Sequence, residues 1–229
     1  MRIYRRVRWG DLSTVHLLDT RQYRDNQACG DERMAGCQER LDPRRTILGR
    51  RQEKWLLRGL GASGARWDVV AQQIFFAQRD TSRSAGLQVG MDAWDGYAAD
   101  RQRILHGFAH RGVRNPVVLT GDVHRHYAND LRLDFDRPET RPIGVELITT
   151  SITSGGDGQD TTPEIRAEMA ANPHIKFATS RRGYVLARFH RSHAEVDFKV
   201  LRYVQKPGAR AHTAAAFAVE DGRPGLHPA

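Results

Sequence analysis

Lysine is nearly missing from this 229-residue chain: of its 36 basic residues only Lys54, Lys176, Lys199 and Lys206 are lysines. The formal net charge of +9 therefore rests on guanidinium groups, planar forks that suit carboxylates and phosphates. The arginines are scattered, with pairs only at Arg5–Arg6, Arg44–Arg45, Arg50–Arg51 and Arg181–Arg182, and no aromatic residues interleave with them as a stacking surface needs. No nucleic-acid partner is expected, although a basic chain of this kind is the usual setting for one. Long apolar runs are absent too. Nothing approaches the ~20 residues of a membrane-crossing helix, and the basic start MRIYRRVRWGD lacks the apolar segment of a signal peptide behind it. Cysteine is reduced to Cys29 and Cys37 in a polar loop with Gly30 and Gly36. The pair reads either as a loop-stapling disulfide or as two free thiols. Also missing are G-x-S-x-G, the P-loop, G-x-G-x-x-G and paired C-x-x-C motifs, so no motif supports a serine-hydrolase elbow, a nucleotide triphosphatase, a dinucleotide fold or a zinc ribbon.

What remains is a globular composition, 39% apolar and 8% aromatic, in a chain sized for one domain. Residues 3–8 and 12–18 read as short strands around Gly10–Asp11, and the polar stretch from 20 to 49 as a long loop, a length that is usually functional. RRQEKWLLRGLGAS has helical spacing at Trp55, Leu56 and Leu60, with Gly61 and Gly64 as stops. WDVVAQQIFF is a strand, and residues 80–96 a second loop. YAADRQRILHGFAHRG is an amphipathic helix ended by Gly112. NPVVLTGD is a buried strand with continuous β-branched residues. Strands follow at about 127–135, 143–150, 183–190 and 194–203, with a helix near 162–171, and residues 204–229 read as a poorly patterned tail that frays. The fold class is mixed α/β, a sheet-rich core with helices outside it.

The chemistry concentrates at VVLTGDVHRHYANDL, where a Gly–Asp ends a buried strand and a histidine follows two positions on. Gly121 is expected to permit a tight turn that brings Asp122 and His124 together at the strand's C-terminal edge. A hard oxygen beside an imidazole suits iron, manganese, zinc or calcium, and the competing reading is an Asp–His hydrogen bond that caps the turn. His126 is expected behind the site or at the surface. LLDTRQYR supplies Asp19 and Arg21, the arginine fit to grip a phosphate and the aspartate to orient it; a surface ion pair is the alternative. In MDAWDGYAADR, Asp92, Trp94, Asp95 and Tyr97 precede a helix, Asp95 as its N-cap and Trp94 as packing or as a wall of the site. His106 and His110 have metal-ligand spacing on a helix but no third partner, so an exposed helix face is expected there.

Taken in order, LLDTRQYR, QEKWL, WDVVAQQIFF, DAWDGY, VVLTGDVH, ITTSITS, NPHIKF and RRGYV closely resemble the PhoD-like alkaline phosphatase family, a branch of the calcineurin-like metallophosphoesterases. The resemblance spans residues 3 to 203. It implies part of a four-layer αββα sandwich with mixed sheets, and hydrolysis of phosphate mono- and diesters at a multinuclear centre of iron and calcium. It implies Asp122 and His124 as metal ligands, Arg21 as the phosphate contact, and Asp19 and Trp94 as site-lining residues. A periplasmic or secreted location is usual for such proteins. The family's other ligand blocks, of Gly-Asp and Gly-Asn-His type, have no counterpart here beyond CGDERM in the loop. The chain is therefore expected to be the C-terminal part of such an enzyme, inactive alone and prone to self-association or to pairing with the missing half. The rival expectation is a non-catalytic module that acts only by association.

Overall fold

The computed structural model describes residues 1–82 and 86–229. Strands β1 (Arg5–Trp9) and β2 (Ser13–Leu17) form a hairpin, and β3 (Arg33–Ala35) lies in the loop that follows. Helix α1 (Gly49–Gly61) leads to β4 (Trp67–Ala71), and β5 (Gln88–Gly90) pairs with β3 as a small separate ribbon. Helix α2 (Ala98–His110), β6 (Pro116–Thr120), β7 (His126–Leu131) and β8 (Gly144–Ile148) follow, then helix α3 (Pro163–Ala171) and β9 (Ile175–Thr179). The chain closes with β10 (Gly183–Phe189), β11 (His193–Val200), β12 (His212–Glu220) and β13 (Arg223–Pro228).

Seven strands make one mixed sheet in the order β1-β2-β4-β6-β8-β7-β9, parallel from β2 through β8 and antiparallel at its edges. The last four strands make an antiparallel sheet, β10-β11-β12-β13. The strand period of two divides the large sheet's side chains between two cores. Val70, Val118, Tyr127 and Ile148 face a cluster with Leu56 and Leu60 of α1 and Ile104, Leu105 and Phe108 of α2. Their neighbours Val69, Val117, Ala128 and Leu147 face Val196, Phe198, Phe217 and Val219 of the second sheet. Helices, sheet and sheet thus stack as three layers, the αββ portion of the expected sandwich. Full burial stabilises by about 1.5–3 kcal/mol for each large apolar side chain, so the continuous apolar runs of β4, β6 and β8 are explained by cover on both faces.

Three expectations need correction. The tail does not fray: Phe217, Val219 and Leu226 pack in the inter-sheet core, and β12 and β13 supply half of the second sheet. Its alanine-rich stretch offers little contrast between faces, and the Asp221–Gly222 turn, a two-residue hairpin signal, was the stronger cue. The Asp221 carboxylate ties that turn to the large sheet through Arg66, Arg114 and Asn115, and Arg114 holds its pKa well below the usual carboxylate range. The loop from 20 to 49 is not structureless, since it holds β3, a 3-10 turn at Glu39–Leu41 and a Cys29–Cys37 disulfide. The strand WDVVAQQIFF stops at Ala71, because the Gln72 amide turns back on its own segment, donating to Ile74 O and accepting from Ile74 N. Of the expected 80–96 loop, residues 83–85 lie outside the described residues. No helix among the described residues is long and apolar enough to cross a membrane.

Candidate active site

The ends of β2, β4 and β6 converge at one edge of the large sheet, as the parallel register of these strands requires. After β2, the buried Asp19 caps a turn. One carboxylate oxygen accepts from Arg21 N and Gln22 N at 3.0 Å each, the other from Gln22 Nε2 at 2.6 Å. Gln52 of α1 clamps the Asp19 backbone on both sides, N to Oε1 and O from Nε2, at 2.8 Å each. Asp19 thereby presents Arg21 outward; it shapes the site rather than facing it.

After β6 the chain turns at Asp122 and His124, with φ of 66° and 55°. These are left-handed conformations, uncommon for residues with a Cβ, and clustered at functional sites when they occur. Gly121 is not in that region, so the turn is made by the two chemical residues and not, as expected, by the glycine. Buried Arg182 holds the strained turn by donating to His124 O at 2.7 Å, with further bonds to Gly156 O and Thr150 Oγ1. Burial lowers the pKa of its guanidinium. Both the Asp122 and His124 side chains are exposed.

The two turns meet. Arg21 donates to Asp122 Oδ1 at 3.4 Å and to Asp92 Oδ1 at 2.7 Å, and Arg24 and Gln27 reach the same Asp92 oxygen. The bond to Asp92 raises the Arg21 pKa above its ordinary value. Burial opposes ionisation of Asp92, but the bonds from Arg21 and Arg24 outweigh it and its pKa is lowered. The result is an exposed, permanently charged arginine held by two carboxylates from loops 71 and 101 residues away.

Other expected residues fall elsewhere. Trp94 does not line the site: it is fully buried, donates to Gln72 Oε1 at 3.1 Å and meets Phe76 edge-on, supporting the floor from below. Asp95 is no N-cap. It lies inside the 3-10 turn Trp94–Tyr97, where its carboxylate accepts from Arg101 at 2.6 Å and from Arg79 N at 2.9 Å. His106 and His110 stack on the exposed face of α2. His126 is fully buried against Phe198 between the sheets, and burial pushes its pKa down to about 4.

Two supporting residues escaped the sequence reading. The Gln73 amide accepts from Thr20 N and Oγ1 and donates to Leu18 O, while the Gln73 carbonyl accepts from Gly121 N at 3.2 Å, so one residue joins both turns. Fully buried Glu146 accepts from Phe76 N, Ala77 N, Thr120 Oγ1 and Asn129 Nδ2 at 2.7–3.0 Å, and burial raises its pKa despite those bonds. Their signal was a polar pair or an acid inside an apolar strand, where an unpaired polar group is costly.

As a metal site the donor set falls short. Asp122 and His124 share a turn, but a catalytic ion usually takes about three protein ligands. Among the described residues, the one group of three or more His, Cys, Asp or Glu side chains with converging ligand atoms lies elsewhere.

The architecture and this edge place the chain in a class: mixed-sheet sandwiches with an arginine bridged to two aspartates at the C-terminal strand ends, and a histidine on the same turn as one of them. The profile of the PhoD-like phosphatases matches residues 1–198, and the chain belongs to that family. Alkaline phosphatase D of Bacillus subtilis (strain 168) is 42% identical over 226 residues, which take in 99% of this chain and 39% of that protein. A solved structure described as that of PhoD superposes with a TM-score of 0.95 at 41% identity, covering 100% of this chain and 44% of the other. The chain thus spans less than half the length of the relatives it matches.

Proposed function

We propose that the chain carries the phosphate-gripping face of a metal-dependent phosphoester hydrolase acting on phosphate mono- and diesters. Arg21 is the phosphate contact, and Asp122 and His124 are metal donors. One observation supports this reading above the others: Arg21 bridges Asp92 and Asp122 across two turns, and the Asp122 turn is held in a left-handed conformation. Of the five guanidinium N–H groups only a part is engaged by these carboxylates. The 3.4 Å contact to Asp122 is at the long end for a hydrogen bond, so a phosphoryl oxygen competes well for that N–H. Asp92 stays as the fixed counter-charge that keeps the fork aimed. The metals, iron and calcium by the resemblance, would draw further ligands from outside the described residues.

The test is hydrolysis of p-nitrophenyl phosphate by the chain alone and by Bacillus alkaline phosphatase D carrying this chain in place of its matching segment. The chain alone is expected to show negligible turnover with or without calcium and iron. In the exchanged enzyme, Arg21→Ala should lower kcat/KM at least 100-fold, about 2.7 kcal/mol, with Arg21→Lys restoring only part. His124→Ala should abolish turnover with the circular dichroism unchanged. Near-normal turnover of Arg21→Ala would refute the phosphate-contact role. Metal-dependent turnover by a monomer of the chain alone would refute the donor count.

A further inference from the structure

At the far end of the second sheet, the β10–β11 turn brings together His190, His193 and Glu195, whose ligand atoms all lie within 4.8 Å of one another. β10 runs there from Gly183, next to Arg182 at the Asp122–His124 turn, and seven strand residues span roughly 20 Å. The cluster is therefore separate from the candidate active site.

The hairpin geometry explains the convergence. His190 and His193 flank the two-residue tip, with His190 N donating to His193 O at 2.8 Å, and their rings stack at 4.8 Å. His193 and Glu195 are two apart on a strand and share a face. His193 Nε2 lies 3.4 Å and His190 Nε2 3.9 Å from the same oxygen, Glu195 Oε1. Zinc–ligand bonds of about 2.0–2.2 Å in a tetrahedron place neighbouring ligand atoms roughly 3.4 Å apart. The two nitrogen–Glu195 distances are already close to that, and side-chain rotation on this exposed turn brings the imidazoles, within 4.8 Å, to the same spacing.

The surroundings favour a cation too. The Ser192 hydroxyl lies 2.9 Å from His193 Nδ1, fixing the ring with Nε2 toward Glu195, as partners of ligating histidines do. Arg188 binds the other Glu195 oxygen at 3.5 Å and Asp197 at 3.2 Å, leaving Oε1 free of it. Arg191 at the tip is tied to Asp11. The turn's backbone is fixed from three sides, by Trp67 Nε1 to His190 O at 2.7 Å, Asp221 N to Ser192 O at 2.9 Å and the His190–His193 bond. All three side chains are open to solvent, so water can complete the coordination.

The geometry points to a zinc-class ion bound at His190, His193 and Glu195, a second metal site that clips the β10–β11 hairpin independently of the catalytic face. Two imidazoles and one carboxylate select first-row transition metals over calcium and magnesium, which want oxygen alone.

The test is calorimetric titration of the full chain, stripped with a chelator, with zinc chloride, and then with calcium and magnesium chloride. One zinc per chain is expected at this site, with no comparable response to the other two. Loss of a partner outside the coordination sphere already weakens metal sites roughly 10–100-fold, so His193→Ala and the near-isosteric Glu195→Gln should weaken this zinc event at least tenfold. Asp122→Asn with His124→Ala should leave it in place. The proposal is overturned if the wild type takes up no zinc at concentrations up to about 1 mM. It is also overturned if both hairpin variants bind as tightly as the wild type, or if calcium binds as tightly as zinc.

Discussion

Acidification should loosen the two sheets from each other through His126. This residue is fully buried against Phe198, and its ring makes a long, 3.4 Å donation to Ile148 O. Burial holds its pKa down to about 4, against the bonds that favour the charged form. The sign follows directly. A histidine whose folded pKa lies below its unfolded value of about 6.5 binds its proton more readily unfolded, so the stability present above pH 6.5 is lost as the pH falls toward 4. At pH 5 the folded ring is still roughly nine-tenths neutral while the unfolded one is charged, a difference of about 2 kcal/mol. His174, also buried and also near 4, adds a similar amount, and the total is large beside a typical domain stability of about 5–15 kcal/mol. Glu146 works in the opposite direction, since its raised pKa favours the folded state as acid is added. A variant comparison removes that contribution. Urea unfolding of wild type and His126→Gln at pH 7 and pH 5 should show the wild type losing about 2 kcal/mol more than the variant over that interval. Equal losses, or an NMR titration of folded His126 near 6.5, would refute the reasoning.

Replacing Glu146 with Ala strands two backbone N–H groups and two side chains in the core, so it should lower stability by at least about 3 kcal/mol in chemical unfolding, with Glu146→Gln milder. Reduction of Cys29–Cys37, which closes a loop with a sequence separation of 8, should cost about 2.5 kcal/mol by loop entropy and speed proteolysis between residues 25 and 41. The edge strand β1 exposes Val7 and Trp9, the latter 74% accessible, so the chain alone should self-associate on size exclusion, and Trp9→Lys should shift it toward monomer.

The strands with strong apolar periodicity were legible in the sequence; that LLDTR and GDVH serve one sheet edge came only with the family resemblance. What misled was locally ambiguous. Ala214, Ala215 and Ala216 hide a strand because alanine is compatible with either face, and IKFAT is too short, directly after Asn172–Pro173, for its alternation to stand out. Asp95 had the look of a cap but is claimed by the Arg79 backbone N–H and the Arg101 guanidinium, donors brought from 16 and 6 residues away. Asp92 became the anchor of Arg21 only through a contact 71 residues long, which no local pattern carries. Gln73 and Glu146 were hidden for the same reason, since their partners lie on neighbouring strands or just past their ends.

The double hold of Gln73 on Thr20 and Gly121 has a kinetic meaning. Loops that move independently can each drift from the reacting geometry, and a misplacement of about 1 Å can cost 100-fold in rate. Here a side-chain amide and a main-chain carbonyl of one residue gauge the separation between Arg21 and Asp122, so thermal motion carries the arginine and the aspartate together. On the proposed reading, a change at Gln73 would therefore be felt in the exchanged enzyme as lost alignment at both turns, in turnover before affinity, although Gln73 itself touches neither carboxylate of the Arg21 bridge.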